Sequence, residues 1–468
     1  MANRYEMDMC SGPLAGKMLR FALPLLFSGV LQLLFNAADI VIVGRFAEDG
    51  NAALAAVSST GSLINLIVNL LTGLSVGASV VVSRSFGAQN TDAVDRAVHT
   101  TITVAAVGGV IFGIFGFLTC GSFLAMMDSP PTVLPLSTLY VRIYFCGLPA
   151  MMLYNFGASI LRAVGDTRRP LIYLSISGVL NVLLNLIFVV FFHMDVAGVA
   201  LATVLSQCLS AVLVLRCLIV DGGTVKLSLR RLRIYRKEFS QIVRVGLPAG
   251  IQGSLFSVSN VLIQSSINGF GDVVIAGNGA AANIEGFVYV AMNAFHHAAL
   301  NFTGQNVGAG KLDRVRRVVV LSAVMVTVVG AALGWICVLC AEPLLNLYRP
   351  GEEAVIAAGI ERMRYVCTTY FLCGLMEIFV GTLRGLGRSV MPMVVSLLGA
   401  CGLRILWLYT IFAAAPSAGM LYLSYPVSWL ITSLVHLICF IFTFRAIKRR
   451  QQAALLSCRC CGEATFSV

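Results

Sequence analysis

Residues 33–44 read LLFNAADIVIVG and set one acid, Asp39, in a run otherwise suited to lipid. A carboxylate at the bilayer centre costs about 3 kcal/mol or more, so an acid kept there marks an ion pathway or a proton relay. Further along, NVLLN puts Asn181 and Asn185 four residues apart, on one helical face. Asn155 and Thr203 lie in neighbouring apolar segments. Asparagines in such segments also hydrogen-bond helix to helix, and for Asn155 both roles stand. Later apolar runs carry Glu285, Glu377 and Arg404. Glu285 reads as a cavity acid able to attract a cation, whereas Glu377 and Arg404 either neutralise each other or hold a ligand. His296, His297 and His436 lack convergent partners at metal-ligand spacing, so buried, hydrogen-bonded histidines and no metal site are expected. Met151, Met152, Met292, Tyr140, Tyr144 and Tyr289 can line an adaptable cavity, although packing is the commoner role for each one singly.

The elements that hold these residues follow from composition. The chain has 468 residues, 58% hydrophobic and 12% charged. A soluble domain carries roughly 25% charged residues, so this is an all-α integral membrane protein. The net charge of +12 does not indicate nucleic acid, because the basic residues fall between apolar runs and not along one face. No short apolar region with a cleavage site follows MANRYEMDMC, so no removable signal peptide is expected. Of the 14 cysteines, those such as Cys120, Cys208, Cys367 and Cys439 are scattered singly in apolar runs and read as small buried hydrophobes. Cys458, Cys460 and Cys461 cluster in a tail that reads as dispensable, with metal binding or lipidation as the alternative.

A spanning helix needs about 20 apolar residues. Twelve segments meet that need, near 19–45, 53–83, 95–119, 136–161, 170–193, 196–219, 242–269, 274–303, 315–340, 357–383, 390–413 and 418–445. With the N-terminus in the cytoplasm, only Arg45, Arg142, Arg349, Arg362, Arg364 and Arg404 of the 33 basic residues fall on the outer side or in outer helix halves. Basic residues favour the cytoplasmic side, so both termini are placed inside a cell membrane, that of a bacterium by preference. The expected organisation is a cytoplasmic tail (1–18), a six-helix lobe (19–220), a charged linker (221–239), a second six-helix lobe (240–447) and a cytoplasmic tail (448–468). The linker reads as a solvated loop beside anionic lipid.

The halves repeat. Residues 19–46 align with 243–270 without a gap, matching Arg20/Arg244, Pro24/Pro248, Gly29/Gly253 and Asn36/Asn260. GAQNTDAVDRAV (87–98) matches GAGKLDRVRRVV (308–319), and LRAVGDTRRP (161–170) matches LRGLGRSVMP (383–392). Six spans per half make the repeat parallel, with its axis along the membrane normal. Two such lobes rocking about a central cavity suit alternating access; a channel would show a filter or a charged ring, and neither is visible. Glycines in the matched loops permit tight turns and close helix approach. Arg162 and Arg384 can satisfy helix-end carbonyls. Pro24 and Pro248 each remove a backbone donor and read as static kinks or as hinges.

These features together resemble the multidrug and toxic compound extrusion (MATE) family over essentially the whole chain. The carrying motifs are Pro24, Asp39 and Gly44 in the first span, YNFGASILRAVGDTRRP (154–170) and GQNVGAGKLDRVRR (304–317). The resemblance implies twelve helices in two six-helix bundles around a central cavity. It implies export of bulky, often cationic and aromatic compounds in exchange for incoming H⁺ or Na⁺, with no other cofactor and no enzymatic step. It places a cation-binding cluster at Asp39, Asn181, Asn185 and Thr203, with Asn155 and the Val199 carbonyl nearby, a donor set that suits a hard cation. Some relatives carry a second acid where Asn185 stands, and a lone Asp39 can instead carry a proton, so the coupling ion stays open. Tyr140, Tyr144, Glu285, Met292 and Glu377 are the expected cavity residues. In the second lobe the repeat puts Ile263 where Asp39 stands, and Ser257 replaces an acid found in one subgroup.

Drug-like small molecules, the coupling cation and the bilayer are the expected partners, nucleic acid is not, and a monomer is expected. A P-loop is absent, because AGKM (15–18) and AGKL (309–312) lack the following hydroxyl. A lipid or polysaccharide flippase of the same superfamily is the nearest alternative, though it calls for more spans and a strongly basic cavity. A membrane-embedded enzyme using His296, Glu285 and Glu377 is the weaker one, since no HExxH, GxSxG or paired-acid motif supports it.

Overall fold

In a computed structural model of the chain, residues 5–46, 50–126, 133–220 and 223–461 are described, with the side chains of 50–59, 62 and 454–461 excepted. Twelve long helical segments appear in the expected order. The first half holds α1 (Leu14–Phe46), α2 (Gly50–Gly87), α3 (Thr91–Met126), α4 (Leu134–Cys146 continuing as Leu148–Ala163), α5 (Arg168–Phe191) and α6 (Asp195–Val220). The second holds α7 (Arg236–Asn268), α8 (Asp272–Gly308), α9 (Leu312–Leu339), α10 (Glu353–Gly385), α11 (Val390–Phe412) and α12 (Ala418–Cys461). Helices are what lipid demands, since each must satisfy its own backbone. No strand occurs among the described residues.

Eleven of the twelve are long and apolar enough to cross a membrane when α4, bent by 48° at Gly147, counts as one span. Pro149, at the start of the second piece, supplies the bend by lacking an N–H. The exception is α7, and its polarity has a use. Gln252 is buried, Ser254 Oγ donates to the Leu66 carbonyl (2.9 Å), and Asn69 Nδ2 donates to Ser257 Oγ (3.1 Å). Its polar face meets α2 of the other lobe instead of lipid.

The two lobes meet where glycine removes the side chain. A Cβ on Gly73 would lie 2.1 Å from the Gly250 nitrogen, and one on Gly250 2.4 Å from the Leu70 carbonyl oxygen. The repeat-matched Gly87 and Gly308 do the same reciprocally: their Cβ atoms would fall 2.0 Å from the Gln305 oxygen and 1.9 Å from the Arg84 oxygen. The matched Gly165 and Gly387 instead make turns, at φ +92° and +73°. Pro24 and Pro248 both sit inside continuous helices. Hydrogen bonds join the lobes from Ser254–Leu66 and Asn69–Ser257 through Ser79–Asn301 to Gln305–Ala163, towards the end that carries the termini. The bundle is thus sealed at the end that carries the linker and both termini.

The N-terminal tail, and the linker expected as a solvated loop, are packed against that seal. Residues 7–12 cross the seam: the Met7 N–H donates to the Val164 carbonyl (2.9 Å) in the first lobe, and the Met9 N–H to Gln305 Oε1 (3.2 Å) in the second. Arg314 Nη2 donates to the Ser11 and Gly12 carbonyls, at 2.7 Å each. The linker lies on α3, with the Ser228 N–H donating to His99 Nε2 (3.1 Å) and Arg96 paired with Glu238 at 2.7 Å. Backbone groups there find protein partners, so neither segment needs to be loose. No disulfide joins the described cysteines; Cys120 and Cys367 are buried as expected, whereas Cys208 faces outward. The side chains of Cys458, Cys460 and Cys461 lie outside the described residues.

Gly73→Val should force α2 off α7, because overpacking of this kind costs about 1–3 kcal/mol. Spin labels on the exposed, repeat-matched Asp92 and Asp313 report the lobe separation at the sealed end. The expected result is a shift to longer distances; an unchanged distribution would remove the glycine seam as the closing device.

Candidate functional site

Asp39 lies 25 residues into α1, well towards the end of the bundle away from the termini. The α1 helix can approach α5 because Gly178 leaves room for the Phe35 ring, one turn before Asp39; a Cβ there would fall 1.8 Å from Phe35 Cε2. Asn185 of α5 then donates its amide to Asp39 Oδ1 at 2.5 Å and also lies 3.4 Å from Asn181 Oδ1. Asn181 Nδ2 reaches Thr203 Oγ1 of α6 at 3.5 Å, and that hydroxyl donates to the Val199 carbonyl at 3.0 Å. Asp39, Asn181, Asn185, Val199 and Thr203 thus form one chain of contacts across three helices. Asn185 is fully buried and Asp39 only partly. Directly after Asn185, residues Leu186–Phe191 widen into π turns, a distortion frequent at functional sites.

The donor set has the chemistry for a cation. Asn185 Oδ1 is buried without a partner, and a carboxylate, two amides and a hydroxyl supply hard oxygens. Asn155 stands apart: its amide donates to the Met151 carbonyl of its own helix at 2.9 Å. In the second lobe Ile263 is buried in an apolar cluster with Leu421 and Ile267, so the two lobes are alike in backbone and unlike in chemistry.

A second polar site lies at the lobe interface. A cavity of about 150 Å³ is bordered by Asn69, Gln252, Tyr289, Asn293, Glu377 and Arg384, together with His296 and His297. Glu377 Oε2 pairs with His296 Nδ1 at 2.9 Å, and Arg384 Nη2 donates to Gln252 Oε1 at 3.0 Å. Arg384 Nε has no partner. Glu377 and Tyr289 both border this cavity.

Several residues are elsewhere. Glu285 is no cavity acid: it is sealed in a bidentate pair with Arg362, at 2.7 Å on both oxygens, and only 5% exposed. Glu377 and Arg404 do not pair. Arg404 lies over the Tyr425 ring, 4.2 Å from its centroid, and donates to Ser428 Oγ at 2.9 Å. Met292 is fully buried, its sulfur wedged between Gly330 and Gly374. Tyr140 belongs to the first lobe's core, and Tyr144 donates to the Met151 sulfur at 3.6 Å in the same lobe, so neither faces the interface cavity. Arg384 reaches the interface instead of capping its own helix. His436 meets Ser396 at 3.0 Å as a buried hydrogen-bonded histidine. Arg362, Gln252, Asn69 and Asn293 carried no sequence signal beyond being polar in apolar runs; Arg384 carried one, its match to Arg162 in the repeat.

Two lobes that meet across glycine faces, with ionisable groups held inside apolar helices, are the architecture of a membrane transporter. The family model described as MatE matches residues 24–187 and again 248–410. The chain belongs to the MatE family. It is 27% identical over 395 residues to the Bacillus subtilis protein described as probable multidrug resistance protein YoeA, covering 82% of this chain and 84% of that one. It is 23% identical to a Shewanella oneidensis FAD transporter, over 83% and 86% of the two chains. A solved structure described as the outward-facing conformation of a multidrug resistance MATE family transporter of the MOP superfamily superimposes with a TM-score of 0.88 at 21% identity, covering 96% of this chain and all of that one.

Proposed function

We propose that this protein is a secondary multidrug antiporter, exporting bulky, often cationic compounds against incoming H⁺ or Na⁺ by rocking its two lobes. The observation that carries the reading is the Asp39–Asn185–Asn181–Thr203 chain of contacts, placed towards the end of the bundle away from the sealed one. Both termini, and with them the sealed end, face the cytoplasm, so Asp39 is reached from outside. A proton or Na⁺ arriving there neutralises the carboxylate. A neutral α1 loses its charge-assisted hold on Asn185, and the α1–α5–α6 contact can repack. Substrate occupies the interface, where Glu377 supplies negative charge and Tyr289 an aromatic face. The protein acts as a monomer, each chain holding both lobes and both sites.

The experiment is reconstitution in vesicles with a fluorescent aromatic cation and separately imposed pH and Na⁺ gradients. Accumulation should follow one gradient and not the other. Dye movement indifferent to both ends the antiport reading. The relative described as an FAD transporter makes an anionic dinucleotide the natural competitor to include; movement of FAD but not of the cation would reverse the substrate class.

A further inference from the structure

At the sealed end, two clefts of about 510 and 710 Å³ lie outside the function above; they share Arg244, Gly387, Arg388, Ile447 and Arg450. Arg84 of α2 joins them from the other lobe, its Nη1 2.6 Å from where a Cβ on Gly387 would stand. No acid lines either cleft. Among the described residues, none of these four guanidinium groups has a hydrogen-bond or ion-pair partner. Converging like charges repel, and nothing in the protein offsets them there. Ser389 adds a second signal: it is 3% exposed, borders the cleft, and its hydroxyl has no partner. A phosphate oxygen would satisfy it.

The other wall is apolar and open to the side. Val390 and Phe442 border the cleft at 53% and 67% exposure. Along α12 the sequence changes here from FIFTF (440–444) to RAIKRR (445–450), which marks the level where hydrocarbon gives way to headgroups. Basic pockets between helices at that level suit anionic lipid headgroups. A soluble anion would need the arginines but has no use for the apolar wall.

We propose that this cleft binds the phosphate of an anionic phospholipid, with Arg84, Arg244, Arg388 and Arg450 around the headgroup and Val390 and Phe442 against the acyl chain. Arg84 belongs to the first lobe and the other three to the second. The bound headgroup therefore bridges the seam and favours the sealed state. The site does not depend on the antiport reading.

The test is native mass spectrometry of the full-length protein with added phosphatidylglycerol, phosphatidylcholine or inorganic phosphate. Arg388→Ala with Arg450→Ala should weaken phosphatidylglycerol binding about 25-fold, roughly fivefold per arginine. Lys226→Ala with Arg230→Ala removes the same charge from the linker, outside both clefts, and should leave binding unchanged. Arg388→Lys with Arg450→Lys should bind nearly as wild type, which separates lost charge from lost fold. Equal loss in the linker variant, or full binding by the double alanine variant, overturns the site. Inorganic phosphate displacing phosphatidylglycerol at equal concentration overturns the lipid assignment.

Discussion

Asp39→Asn is expected to reduce gradient-driven export to the level of protein-free vesicles while the protein still folds. The substitution keeps size and shape and removes only the charge. An amide at this position can still accept the Asn185 N–H, now at 2.5 Å from Asp39 Oδ1. The loss is one charge-assisted hydrogen bond exchanged for a neutral one, about 1 kcal/mol, so thermal unfolding in detergent should move little. Transport should disappear because Asn185, Asn181 and Thr203 are all neutral: without the carboxylate the contact chain holds no group that takes a proton or attracts a cation. Its counterpart in the second lobe, Ile263, offers no substitute. Dye export under the productive gradient, measured beside the unfolding temperature, gives both readouts. Export at the wild-type rate would remove Asp39 from the mechanism, whereas joint loss of export and fold would make it structural.

The second large effect is on stability. Arg362 holds Glu285 through two 2.7 Å hydrogen bonds, donates to Asn278 Oδ1 at 2.6 Å, and lies over the Tyr422 and Tyr425 rings. Arg362→Met alone leaves a 5% exposed carboxylate with no counter-charge. Removing one partner of a buried pair costs about 3–5 kcal/mol. The double variant Arg362→Met with Glu285→Leu should recover most of that loss, because two apolar side chains leave no charge to compensate. Denaturation of the two singles and the double closes the cycle. Additive losses would show that the two groups act independently. The same cycle tests function, since a purely structural pair leaves the double variant able to export dye.

How much of this was legible beforehand differs by residue. Asn181 and Asn185 could be paired from spacing alone, because four residues return to the same helical face. Joining them to Asp39 and Thr203 needed three helices to be placed side by side; the residues lie up to 164 positions apart, from Asp39 to Thr203. Family resemblance supplied that grouping and the geometry agrees, except for Asn155, which turns to its own helix. The second lobe was harder. Glu285, Glu377 and Arg404 were visible as charges in apolar runs, but a charge does not announce its partner. Glu285 pairs with Arg362, Glu377 with His296, and Arg404 with an aromatic face, so of the two alternatives for Glu377 and Arg404 the mutual pair does not form. Met292 packs in the core and not in the cavity, because a flexible thioether fills core gaps as readily as it lines a cavity.

Length, hydropathy and the internal repeat were enough to determine a helical membrane protein of twelve segments in two parallel lobes, since lipid leaves the backbone few options. They also picked out Asp39 as the acid whose burial wants a reason. Which charges neutralise one another, which end of the bundle is sealed, and where four arginines gather without an acid were decided only in three dimensions. Those properties depend on distances between chain segments tens to hundreds of residues apart, and no local pattern encodes them.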